Sequence, residues 1–114
     1  MKIISVPLNA LAMQRLDMDE AQPGDLAELI LTNDQYADLS NSGVVEKINK
    51  ALGTLIDEYE DESIKGQKNL GTTLAFFSEA FNSSHLEVFN DIVKLNKIAI
   101  EKETGIFFIF NQRT

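Results

Sequence analysis

Cysteine is absent from the 114 residues, which excludes disulfides and any thiolate-based metal or redox centre. The absence fits a reducing compartment. Long apolar runs are also missing. The first residues, MKIISVPLNAL, carry one lysine and a five-residue apolar-leaning run before Pro7, and the last apolar stretch is IFFIF at residues 106–110. Both are far too short for a signal-peptide core or a membrane span, so a cytoplasmic protein with no membrane partner is expected. No phosphate-binding loop, dinucleotide fingerprint, nucleophile elbow or zincin motif is written in the chain. No internal repeat or low-complexity segment stands out.

Histidine is nearly absent as well. The single one, His85, lies in SSHLE beside Ser83 and Ser84. A nucleophile–base pairing of Ser84 with His85 is the catalytic reading. Adjacent side chains on a helix do not face each other, and serine is a common helix N-cap. The sequence therefore assigns Ser84 to a cap, His85 to an exposed first turn, and no residue to catalysis. An enzyme is not expected, nor is a cofactor.

Basic residues are scarce in the first half. Residues 1–63 hold 4 basic and 13 acidic side chains, a net of −9, whereas residues 64–114 net +1. A field of that sign repels nucleic acid, whose binding relies on Lys and Arg neutralising phosphates. It attracts basic partners and speeds encounter with them.

What is present is an ordinary globular composition, 44% hydrophobic and 25% charged, long enough to bury a core. Residues 1–114 are expected to form one domain. Residues 2–6 (KIISV) read as a strand ended by Pro7, and residues 9–16 as a turn of helix. Residues 26–31 (LAELIL) lean towards a strand, although Leu, Ala and Glu are good helix formers. Thr32 and Gln35 form a capping box for a helix carrying Tyr36 and Leu39. A second helix is expected from about Val44 to Tyr59, on the stripe Val45, Ile48, Leu52, Leu55, Ile56 and Tyr59, with Gly53 as its weak point. Helices over about 68–81 and from a second capping box at Ser84 and Glu87 to Gly105 follow. Residues 106–110 read as a buried strand. The fold class is α+β: three to four helices on a small sheet of two or three strands that includes both terminal strands.

The conspicuous feature is LIDEYEDESI, where Asp57, Glu58, Glu60, Asp61 and Glu62 surround Tyr59. Charge runs are commonly solvated faces. On the expected helix, however, these carboxylates oppose the macrodipole at about 0.3–1 kcal/mol each, and like charges four apart add to the penalty. An arrangement that works against its own helix points to use by something else. A calcium loop alternates its ligands and turns on an early glycine; DEYEDESIKG does neither, so metal ligation is not expected. Tyr59 and Tyr36 are the aromatic candidates beside this surface. Asp17, Asp19, Glu20, Asp25, Asp34 and Asp38 are further acids that could extend it.

The stretch SGVVEKINKALGTLIDEYEDESI, residues 42–64, in a short, acidic, cysteine-free chain, resembles the small immunity proteins of bacterial polymorphic and contact-dependent growth-inhibition toxin systems. The resemblance implies an antitoxin that binds and blocks a cognate toxin domain, commonly a basic nuclease. It carries over no individual residues, and the acidic run, Asp57, Glu58, Tyr59, Glu60, Asp61 and Glu62, is the set in this chain that can supply the partner-binding surface. Two other readings stay open: a small carboxylate- or metal-dependent hydrolase, with paired acids in a cleft, and an acidic nucleic-acid-mimicking regulator.

Overall fold

The computed structural model describes residues 1–111. Four strands, β1 (Lys2–Pro7), β2 (Leu26–Leu31), β3 (Glu62–Lys65) and β4 (Gly105–Ile109), form one antiparallel sheet in the order β2-β1-β4-β3. The strands from the two ends of the chain therefore pair at its centre, with Ile3 opposite Ile109 and Ser5 opposite Phe107. Five helices join them: α1 (Ala10–Asp17), α2 (Asn33–Asn41), α3 (Val44–Leu52), α4 (Gln67–Ser84) and α5 (Glu87–Lys102). The α+β class and the terminal strands agree with the sequence reading. The counts do not: there is one helix and one strand more than the upper expectation.

Alternation along the strands separates two faces. Ile4 and Val6 of β1, Ile106 and Phe108 of β4 and Ile64 of β3 point into the main core. Helix α5 lies on this inner face against β1 and β4, and α4 packs on α5 and on β3, with its Phe77 ring 6.3 Å from that of Phe108. Packed against both the sheet and α4, α5 buries Val88, Phe89, Ile92, Val93, Leu95 and Ala99, each large apolar side chain contributing roughly 1.5–3 kcal/mol. Where α4 and α5 meet, Asn96 is completely buried. Its Nδ2 donates to Leu70 O at 2.9 Å, and its Oδ1 accepts from Thr73 Oγ1 at 2.6 Å. These bonds offset its desolvation.

Local chemistry sets the helix limits. Asn9 caps α1 by accepting from Ala12 N. The box predicted at Thr32 and Gln35 forms in both directions, at 3.1 and 2.9 Å. Helix α3, however, stops at Leu52 because Gly53 adopts φ 68°, a left-handed conformation that terminates a helix at little cost for glycine. The expected continuation to Tyr59 is overturned. So is the box at Ser84 and Glu87. Ser84 is the last residue of α4 and donates to Ala80 O, and His85 follows it in a left-handed conformation as that helix's C-cap. Helix α5 starts from Leu86 without a side-chain cap.

The outer face of the sheet carries Ile3, Ser5 and Phe107, with Ile30 of β2 and Ile109 of β4 in the same row as Ile3. Helix α1 packs against part of β1. Among the described residues, no helix is long and apolar enough to cross a membrane.

Candidate functional site

The acidic run sits on a bend between α3 and β3, and the helix-dipole penalty expected for it does not arise. Residues 54–56 leave α3 without regular structure, and Asn49 holds both ends of the segment: its Nδ2 donates to Ile56 O at 3.1 Å, while its Oδ1 accepts from Ile56 N at 2.9 Å and Thr54 Oγ1 at 2.8 Å. This places Ile56 in the core at 2% exposure. The chain then turns, and three of the five carboxylates brace the turn. Asp57 Oδ1 accepts from Tyr59 N and Glu60 N at 2.8 and 3.0 Å, a side-chain turn of the kind Asp favours. Glu62 accepts from Leu55 N and Ser63 N, and Asp61 accepts from Asn111 N at 3.1 Å. The Glu58 and Glu60 carboxylates accept no hydrogen bond among the described residues. Tyr59, at 73% exposure, is the most exposed large hydrophobic side chain of the described residues.

The bend lies between two grooves. The first, of about 340 Å³, runs between α2, α3 and the bend. Leu39, Val45, Ile56 and Phe110 supply its apolar lining, and Tyr36 and Tyr59 its phenol rings. Glu46, Asp57 and Glu58 contribute carboxylates. Tyr36 packs edge-on against Phe110 at 5.2 Å between ring centres, and Lys2 Nζ sits 5.0 Å from the Tyr36 ring centre.

The second groove, of about 540 Å³, crosses the outer sheet face. Ile3, Leu16, Leu26, Phe107 and Ile109 give it an apolar lining, and Asp17, Asp19, Glu28, Asp61 and Glu62 bring carboxylates from separate segments. Lys65 is the nearby counter-charge, 3.1 Å from Asp17 and over the Phe107 ring at 5.2 Å. The run predicted as one patch is thus divided: Asp57, Glu58 and Tyr59 line the first groove, whereas Asp61 and Glu62 line the second. Glu60 lines neither. Glu28 was not among the acids the sequence singled out. Its place at the groove follows from its pairing opposite Ser5 across the sheet, which composition does not reveal.

The remaining acids have other positions. Asp25 is buried, and both oxygens meet the Arg15 guanidinium, at 2.6 and 2.7 Å, while Gln22 N donates to it at 2.9 Å. The Arg15 hydrogen bond, helped by that from Gln22, holds its carboxyl down to about 2 from an ordinary 3.8. Asp25 is a brace of the loop before β2 and not part of an open surface. Asp34 occupies the first turn of α2, where a carboxylate favours the helix. Burial, the largest influence, pushes the Tyr36 phenol above its ordinary value; Ser40 acts against this, and Glu58 and Asp57 add to it.

Ser84 and His85 do not form a catalytic pair: the serine hydroxyl is committed to Ala80 O, and the His85 ring stands edge-on to Phe81. Among the described residues, no group of three or more His, Asp or Glu side chains is arranged to hold a metal ion. Comparison with known proteins finds no matching family model, no matching curated protein and no matching solved structure.

Proposed function

We propose that the protein is an immunity protein that binds and neutralises a cognate basic toxin domain, a nuclease by the chemistry of its surface. The observation that carries this reading is the bend at residues 57–62, which offers carboxylates and an exposed tyrosine between two grooves with apolar linings. Apolar area surrounded by charge suits protein recognition: desolvated contacts give affinity, and the charged rim gives rate and partner choice. A nuclease must expose Lys and Arg to hold phosphates, and an acidic protein can occupy that surface in place of nucleic acid. Asp57, Glu58, Tyr59, Glu60, Asp61 and Glu62 are the proposed contact set.

The test is capture by the immobilised protein from its own host, with elution in steps of salt, followed by co-expression of what is captured. The expected result is one basic protein that is toxic alone and harmless beside this chain. The variant Glu58→Gln/Glu60→Gln/Asp61→Asn should weaken that binding with its fold retained, since an asparagine at 61 keeps an oxygen to accept from Asn111 N. No partner at low salt, or a partner whose affinity ignores the triple substitution, overturns the reading. Capture of several unrelated DNA-binding proteins would favour the nucleic-acid mimic instead.

A further inference from the structure

The groove between α2, α3 and the bend combines three features that match a single kind of side chain. Its floor is apolar, with Leu39, Ile56 and Phe110 buried beneath it, and the half-buried Val45 and Tyr36 are the surface open to a hydrocarbon stem. Tyr36 and Tyr59 place phenol rings in its lining, and such rings attract cations. The Tyr36 ring already holds Lys2 Nζ at 5.0 Å from its centre, outside that lining, whereas Tyr59 is 73% exposed. Glu46, Asp57 and Glu58 add three carboxylates, none of which is in an ion pair among the described residues. Asp57 uses one oxygen, Oδ1, for the backbone of the bend, which leaves Oδ2 for an incoming donor.

We propose that this groove is the receptacle for one arginine side chain presented by the partner, its stem on the apolar lining and its guanidinium between the tyrosines and the Asp57 and Glu58 carboxylates. The proposal rests on the reading of the chain as a binder of a basic protein and specifies how one residue of that partner is recognised. Arginine fits better than lysine because its planar fork pairs with carboxylates in two places, stacks on aromatic rings and sheds water more readily. A neutral residue of the same shape loses every charge-dependent part of this fit.

The experiment is a ¹⁵N NMR titration of the whole chain with three blocked tripeptides, Gly-Arg-Gly, Gly-Lys-Gly and Gly-citrulline-Gly. The arginine peptide is expected to shift the amides of Tyr36, Asn49, Ile56, Glu58 and Tyr59, with the lysine peptide weaker and the citrulline peptide weakest. Glu58→Gln and Tyr59→Ala should each weaken the arginine peptide by roughly three-fold, the worth of one exposed cation–π or charge contact. Both side chains are exposed, and an unchanged ¹⁵N spectrum elsewhere verifies the fold of each variant. Arginine and citrulline peptides of equal effect, absent shifts, or shifts confined to Ile3, Glu28 and Phe107 on the outer sheet face would overturn the proposal. Capture of a basic toxin without arginine-peptide shifts removes the receptacle and leaves the function standing. Shifts in the groove without a captured toxin support the receptacle and remove the function.

Discussion

Asn49 and Ile56 exchange hydrogen bonds in both directions, the side-chain amide of the first pairing with the backbone N–H and C=O of the second at 2.9 and 3.1 Å. The asparagine acts as a short strand partner for a segment that has none. It turns the chain out of α3, seats Ile56 in the core and so aims the bend that follows.

Removing that side chain should loosen the bend without unfolding the protein. Asn49→Ala is expected to destabilise by about 2 kcal/mol, since three bonds to partly buried groups are lost and backbone atoms are left unpaired. Urea unfolding measures the change, and amide exchange at Ile56 should accelerate more than exchange in α5. Unchanged exchange at Ile56 would mean that the core, not Asn49, holds the segment.

The Arg15–Asp25 fork makes acid stability specific. The Asp25 carboxyl titrates at about 2 when folded and near 3.8 when not, so the unfolded chain binds the proton more readily in that interval. The stabilisation is complete above the unfolded value and is lost as pH falls from about 4 through about 2. Asp25→Asn should lower stability at neutral pH and flatten this part of the pH profile, as read by thermal melts between pH 2 and 7. A variant that keeps the native slope would show that other carboxyls produce it.

The buried contact between Thr73 and Asn96 is a coupled pair. Thr73→Val takes the donor from Asn96 Oδ1 and should cost about 1–3 kcal/mol, because that oxygen stays desolvated. Thr73→Val/Asn96→Leu should cost less than the two single changes added together, by about 1 kcal/mol, in a double-mutant cycle. Simple additivity would show that the two groups act independently.

Tyr36 reports the field of the bend. Asp57→Asn/Glu58→Gln should bring its phenol down, yet leave it above the ordinary 10.0, because burial, the largest cause, is untouched. Ultraviolet titration reads this directly; a phenol that does not move would place both carboxylates too far away to act on it.

The sequence disclosed the structure wherever local chemistry decided it. The Thr32–Gln35 box, the α5 stripe and the apolar terminal strands are each specified by neighbouring residues. The stripe through Leu52, Leu55, Ile56 and Tyr59 misled because it keeps helical spacing across Gly53, whose left-handed backbone outweighs the period. Strand β3 escaped notice because ESIK holds one apolar residue, Ile64, and becomes a strand only by pairing with β4. The outer groove was illegible for a different reason: Asp17 at the end of α1, Glu28 on β2 and Asp61 before β3 are brought together only by the strand order and the packing of α1 on β1. The position and charge of residues 57–62 were legible, but their division between two faces was not.

The pairing of β1 with β4 has a consequence for how this fold can be joined to other chains. Ile3 stands opposite Ile109 in the antiparallel register, and Lys2 Nζ donates to Phe110 O at 2.6 Å, so the start of β1 and the end of β4 stand side by side, roughly one strand spacing apart. In an engineered chain, a two- or three-residue linker set between Lys2 and Phe110 could close β1 and β4 into a hairpin, making the path circular. The cut could then be moved to the exposed bend at 57–60, giving a permuted protein with the same sheet and a split acidic loop.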